Sequence, residues 1–163
     1  MAPHAYAYRP MTALDLEIVR GWLALPHVVQ WWGDPRKQFA LISEDLGHPA
    51  MDQFIVTDDE SPFAYLQCND PIAWPDNGLG EQPGGTRGID QFIDEKDMIG
   101  CGHGSALIRL FVDQLLNAGT PRTMTDPDPR NARAIRAYEK AGFHKDRLVD
   151  TRDGRAVLMV RDA

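Results

Sequence analysis

Apolar and polar positions change period several times along the chain, and each change marks an element. Residues 5–9 alternate as a short strand. Thr12 then offers an N-cap oxygen to a helix with Leu14, Ile18, Val19, Trp22 and Leu23 on one face. Asp15 takes the capping-box place and Pro26 is expected to close the helix. Residues 27–33 predict one or two further turns and 39–46 another. Because helical neighbours point about 100° apart, Trp31 and Trp32 cannot share a direction, so one ring belongs to the core and the other to a surface or cleft.

The period then shortens to that of strands. Residues 52–57 and 62–68 are apolar-rich runs separated by Asp58-Asp59-Glu60-Ser61, which predicts a hairpin. Residues 70–85 hold three prolines and four glycines with no periodicity, and read as a long loop. Trp74 within it is either a ligand platform or an anchor into the core. In 87–93, Ile89, Gln91 and Ile93 face one side of a strand while Asp90 and Phe92 face the other. A helix follows Gly104, with Leu107, Ile108, Phe111, Val112, Leu115 and Leu116 as its apolar stripe and Gly119 beyond its end. A strand over 122–125 ends at Asp126. Asp128-Pro129 supplies an N-cap and a first-turn proline for a helix presenting Ala134, Ile135, Tyr138 and Ala141, which stops at Gly142. Two last strands, 143–151 and 155–160, flank the hairpin signal Asp153-Gly154.

Composition narrows the class. The 163 residues suit one domain, 1–163, and 43% hydrophobic with 25% charged residues is ordinary for a globular chain. No apolar run approaches the roughly 20 residues of a membrane span, and the first residues lack a secretory pattern. A soluble cytoplasmic protein without membrane contact is therefore expected. Two cysteines, Cys68 and Cys101, make no disulfide framework, and no Cys/His spacing implies a metal. The net charge of −7 disfavours a nucleic-acid partner and suits a cationic one.

Two places carry candidate chemistry. Ile99-Gly100-Cys101-Gly102-His103-Gly104 leaves a backbone nearly bare of side chains at the head of a helix, where amide N–H groups and the helix dipole favour a diphosphate. It follows the charged run 94–97 rather than a strand, unlike a dinucleotide fingerprint, and it lacks the lysine of a P-loop. A purely structural helix cap is the competing reading. Asp90, mid-strand among apolar neighbours, must be either paired with an internal arginine or kept for a cationic ligand.

The order of elements, with Gly100-Cys101-Gly102-His103-Gly104 and Asn131-x-x-Ala134-x-x-x-Tyr138-x-x-x-Gly142-Phe143, resembles the GNAT superfamily of acetyl-CoA-dependent N-acyltransferases. Ile99 stands where that family often has arginine or glutamine. The resemblance implies an α+β fold: a mixed, mostly antiparallel sheet of about six or seven strands flanked by helices, with acetyl-CoA at a splayed central strand pair. Val29-Gln30-Trp31-Trp32-Gly33, Arg87-Gly88-Ile89-Asp90-Gln91, Thr125-Asp126-Pro127 and residues 133–143 are similar to aminoglycoside 6′-N-acetyltransferases. By position, the resemblance implies Asp90 and Tyr138 as catalytic. It puts Phe92, Ile93, Ile99, Gly100, Cys101, Gly102, His103, Gly104, Ser105, Asn131 and Ala134 at acetyl-CoA. Trp31, Trp32, Asp90, Asp126 and Asp153 fall at a cationic acceptor. Monomer or homodimer is expected. The competing functions are acylation of a polyamine or a siderophore-precursor amine or hydroxylamine, and a non-catalytic acyl-CoA-binding module.

Overall fold

A computed structural model describes residues 5–94 and 102–163. Its strands are β1 (Tyr6–Pro10), β2 (Met51–Asp58), β3 (Ser61–Asn69), β4 (Arg87–Ile93), β5 (Arg122–Thr125), β6 (His144–Thr151) and β7 (Gly154–Asp162). The helices among the described residues are α1 (Leu16–Leu23), α2 (Pro26–Trp32), α3 (Pro35–Asp45), α4 (His103–Asn117) and α5 (Ala132–Lys140). The strands form one sheet in the order β1-β2-β3-β4-β5-β7-β6. The pairs β1–β2, β5–β7 and β6–β7 are antiparallel, whereas β4 and β5 run parallel, with Arg87 opposite Thr123 and Gly88 opposite Met124. This is the mixed, mostly antiparallel α+β sheet expected from the sequence. Its outer strand β6 begins His144-Lys145-Asp146-Arg147, all exposed, and such a charged edge discourages pairing with another sheet.

The described residues divide into two compact units, 5–68 with 90–94 and 69–89 with 102–163. In the first, Val19, Trp22 and Leu23 of α1, Val28 of α2, Ile42 of α3, Ile55, Tyr65 and Phe92 make one core. Its centre is aromatic. Phe92 stacks on Tyr65 with ring centroids 5.3 Å apart, and the edges of Trp22 and Trp32 meet its ring at 6.2 and 5.1 Å. Each such pair contributes about 0.5–1.5 kcal/mol beyond the buried area. Trp32 thus takes the core role, and Trp31, 37% exposed, faces outward.

Two expectations in this unit are corrected. Leu14 is 92% exposed, because residues 13–15 form a 3-10 turn ahead of α1, and Ile18 is exposed too, the apolar face being Leu16, Val19, Trp22 and Leu23. Pro26 does not close α1, which ends at Leu23; it opens α2, where a first-turn residue has no intrahelical use for an N–H.

In the second unit, α4 buries Leu107, Ile108, Phe111 and Val112, as its stripe predicts. Met124, Val149, Ala156, Leu158 and Val160 pack with Leu79. Arg161 of β7 donates to Asp113 of α4 at 2.6 Å and to the Ala141 carbonyl at the end of α5 at 3.1 Å. The cap of α5 is a further correction. Asp128 accepts from the backbone and guanidinium N–H groups of Arg130, and the cap falls three residues later, at Asn131, whose side chain accepts from the Ala134 N–H at 3.2 Å. The stretch 70–85 is more ordered than its composition suggests. It holds a 3-10 turn at Pro71–Ala73, it buries Leu79, and Arg147 of β6 donates to the Leu79 carbonyl at 2.7 Å.

Candidate active site

Asp90 is half-buried on β4 and accepts from the Gln67 side-chain amide of β3 at 3.4 Å. Strand alternation puts Asp90 and Phe92 on one face, and Tyr65 and Gln67 on the facing side of β3. The same strand pair is therefore aromatic at one end, where Tyr65 stacks on Phe92, and polar at the other. Gln67 in turn receives the Tyr65 hydroxyl proton at 2.8 Å, and that hydroxyl accepts from Gln53 at 3.2 Å. Burial, and secondarily the charge of Asp90, push the Tyr65 hydroxyl well above the usual phenol range. The Ile93 carbonyl accepts from His27 Nε2 at 2.7 Å, while the Phe92 and Ile93 side chains are buried.

Gly102 is the N-cap of α4 and sits at φ +88°, a left-handed conformation that an L side chain resists. A Cβ there would meet none of the described residues within 4 Å, so the space beside the backbone is open on their side. The first intrahelical bond runs from the Ala106 N–H to the Gly102 carbonyl, so the amides of Gly104 and Ser105 precede the hydrogen-bond ladder. No acidic side chain stands in the first turn. Ser105 Oγ donates back to the Gly102 carbonyl at 3.2 Å. Open space, leading amides and the positive end of a 15-residue helix fit an anionic diphosphate. Gly104 lies within the helix; Ile99, Gly100 and Cys101 lie outside the described residues.

The remaining candidates lie on or beside β5, α5 and the β6–β7 turn. Asp126 directly follows β5 and is partly buried, and the neighbouring Pro127 carbonyl accepts from the Val157 N–H of β7 at 2.9 Å. Burial, and then the charge of Asp153, push the Asp126 carboxyl up to about 6. Asp153 sits in the exposed β6–β7 turn, its N–H donating to Thr151 Oγ1 at 3.2 Å. The Asp153 charge, near enough to oppose the ionisation of Asp126, makes with it an anionic spot suited to a cation. Tyr138 of α5 is buried, its ring edge-on to Phe143 at 5.5 Å. Asn131 spends its side-chain oxygen on capping α5 at Ala134.

Comparison with known proteins fits this geometry. The acetyltransferase (GNAT) domain family matches residues 12–151. An aminoglycoside N(6′)-acetyltransferase type 1 from Klebsiella pneumoniae is 36% identical over 162 residues, covering 94% of this chain and 81% of that one. The chain belongs to the GNAT acetyltransferases, among the aminoglycoside N(6′)-acetyltransferases. Two solved structures of such acetyltransferases are similar throughout. AAC(6′)-Ib in complex with parmomycin and acetyl-CoA superposes with a TM-score of 0.87 at 36% identity, covering 97% of this chain and 93% of that one. AAC(6′)-Ib with coenzyme A and kanamycin gives 0.86 at 36% identity, covering 97% and 95%.

For this acetyltransferase, sequence reasoning passed over Gln53, Tyr65 and Gln67. Their only signal was polar side chains recurring within the strand runs 52–57 and 62–68, which the hairpin assignment did not use.

Proposed function

We propose that the protein transfers an acetyl group from acetyl-CoA to the 6′-amine of an aminoglycoside. The observation that carries the acceptor class is the Asp126–Asp153 pair: a carboxyl held up to about 6 by burial and a like charge gains most from a cationic partner. The aminoglycoside N(6′)-acetyltransferase relative supports the same reading.

The chemistry assigns a task to each side chain. An ammonium is no nucleophile, so Asp90 holds it and, directly or through water, takes its proton. The free nitrogen attacks the thioester carbonyl carbon and the C–N bond forms; collapse of the tetrahedral intermediate breaks the C–S bond, and the second nitrogen proton passes to solvent, from which Tyr138 regains its own. A strand amide near Phe92 or Ile93 steadies the oxyanion, and the Tyr138 hydroxyl gives its proton to the departing thiolate. Asp126 and Asp153 hold further ammonium groups, with the outward-facing Trp31 as an aromatic wall of the acceptor, while Trp32, expected there too, is committed to the core. The Gly102 end of α4 receives the diphosphate of acetyl-CoA.

Thiol release from acetyl-CoA, measured with kanamycin, a polyamine and a hydroxylamine siderophore precursor, tests this directly. The expected result is the highest kcat/KM with kanamycin, and a product acetylated on the 6′ nitrogen by NMR. Turnover confined to the polyamine or the hydroxylamine would overturn the acceptor, and binding of acetyl-CoA without turnover of any amine would leave only a binding module.

A further inference from the structure

The hydrogen bonds behind Asp90 form a chain whose direction is fixed at its far end. Gln53 is buried, and its side-chain amide nitrogen donates both to the Ile42 carbonyl of α3 at 2.9 Å and to Tyr65 Oη at 3.2 Å. A backbone carbonyl only accepts, so the Gln53 amide cannot turn over without losing that bond. Tyr65 is fully buried, and since its oxygen already accepts from Gln53, its one proton goes to Gln67 Oε1 at 2.8 Å. That in turn fixes which end of the Gln67 amide faces Asp90. The nitrogen does, at 3.4 Å from Oδ2. A turned amide would set a carbonyl oxygen against the carboxylate and strand the tyrosine proton, and both are costly in a partly buried place.

We propose that Tyr65 and Gln67 are positioning residues for the acetyl transfer, fixing through Asp90 Oδ2 the orientation of the carboxylate that takes the amine proton. The proposal rests on the assignment of Asp90 to that amine. Neither side chain needs to touch substrate. Tyr65 acts only through Gln67, and Gln67 only through Asp90, an order that an ordinary core contribution does not have. The stacking of Tyr65 on Phe92 at 5.3 Å is separate from the hydroxyl, so Tyr65→Phe removes the proton and keeps the ring.

The test is steady-state kinetics with kanamycin on Tyr65→Phe, Gln67→Met, the double variant, and each single change repeated on Asp90→Asn, with thermal melts alongside. Gln67→Met is expected to lower kcat about 10-fold, and Tyr65→Phe about 5-fold, each with the KM for acetyl-CoA within 2-fold of wild type. The double variant should be no slower than Gln67→Met alone. Gln67→Glu, which keeps the acceptor for Tyr65 and loses the N–H donor, should be at least as slow, and it serves if Gln67→Met does not fold. On Asp90→Asn none of these changes should lower kcat further. Gln67 variants with wild-type kcat while Asp90→Asn is inactive would overturn the positioning role alone, as would Tyr65 and Gln67 effects that multiply. Full kcat in Asp90→Asn would instead remove the assignment of Asp90 itself, and the proposal with it.

Discussion

Asp153, in the turn between β6 and β7, adds its charge to the burial of Asp126, and together they hold the Asp126 carboxyl at about 6. An acid raised in the folded state costs stability once it ionises. Between about pH 4 and 6 the folded chain keeps a proton that the unfolded chain, with a carboxyl near 3.8, has released. Stability contributed by this group is therefore whole below that window and lost as pH rises through it.

Asp126→Asn should accordingly melt at the same temperature as wild type or higher at pH 7.5, and the difference should vanish by about pH 4. The acceptor KM should rise in the same variant while the KM for acetyl-CoA holds. Scanning calorimetry at the two pH values reads the first, and steady-state kinetics the second. A variant that melts lower at pH 7.5 would show that the carboxylate is held by partners that stabilise its charge.

The same carboxyl sets a pH dependence for acceptor binding. A cation binds the ionised form, so complex formation below about pH 6 must expel the Asp126 proton, and affinity for kanamycin should fall as pH drops through that value. Protons exchanged by the acceptor's own amines are common to wild type and Asp126→Asn, so the difference between the two belongs to the protein. Calorimetric titration between pH 4.5 and 7.5 should show proton release that disappears in Asp126→Asn. A wild-type affinity flat across that range would remove Asp126 from the acceptor site.

At Gly102 the strain lies in the backbone, since φ is +88° and a Cβ would meet none of the described residues within 4 Å. Gly102→Ala should therefore cost only about 1–2 kcal/mol of stability, the usual penalty of a side chain in the left-handed region. Gly102→Val should add a β-branched side chain to the space beside the leading amides and weaken acetyl-CoA binding at least 10-fold in the folded protein. Unchanged CoA affinity in that variant would return the loop to a helix cap.

Tyr138 lies buried against Phe143, so its ring has a packing role that phenylalanine can keep. Tyr138→Phe should lower kcat by about 10 to 10³-fold, as for loss of a general acid, with little change in the KM for acetyl-CoA or in melting temperature. Full kcat at every pH would make it a packing residue only.

Gly78 tests the anchoring of the 70–85 stretch. A Cβ there would come within 2.4 Å of the Asp150 carbonyl oxygen on β6, at a φ of +80°. Gly78→Ala should cost about 2 kcal/mol or more, because both the backbone conformation and the strand beside it must yield. Gly84→Ala, where a Cβ meets nothing within 4 Å and φ is unexceptional, is the control and should be near neutral by urea denaturation.

Elements whose period is set by one buried face were readable from the chain by itself. The stripe of α4, the alternation of β4 and the Asp153-Gly154 turn all depend on local periodicity or on a dihedral that one residue type favours. The family followed from motifs whose chemistry needs neighbours along the chain: a bare loop at a helix head, and Asn131 through Phe143 on one helical segment. What the sequence left open was decided by contacts between residues far apart in it. Both tryptophans of the Trp31-Trp32 pair suit a core, and only the Phe92 and Tyr65 rings made Trp32 the half-buried one that packs on it. Leu14 looked apolar-faced because periodicity does not register that its turn is 3-10. The α5 cap moved to Asn131 because the Arg130 side chain, an equal claimant for Asp128, is invisible to a motif. The charge of Asp126 and the orientation of Asp90 are of the same kind. Each is set by burial and by a partner on another strand or turn, and such fields and hydrogen bonds fall off with distance in space, not along the chain.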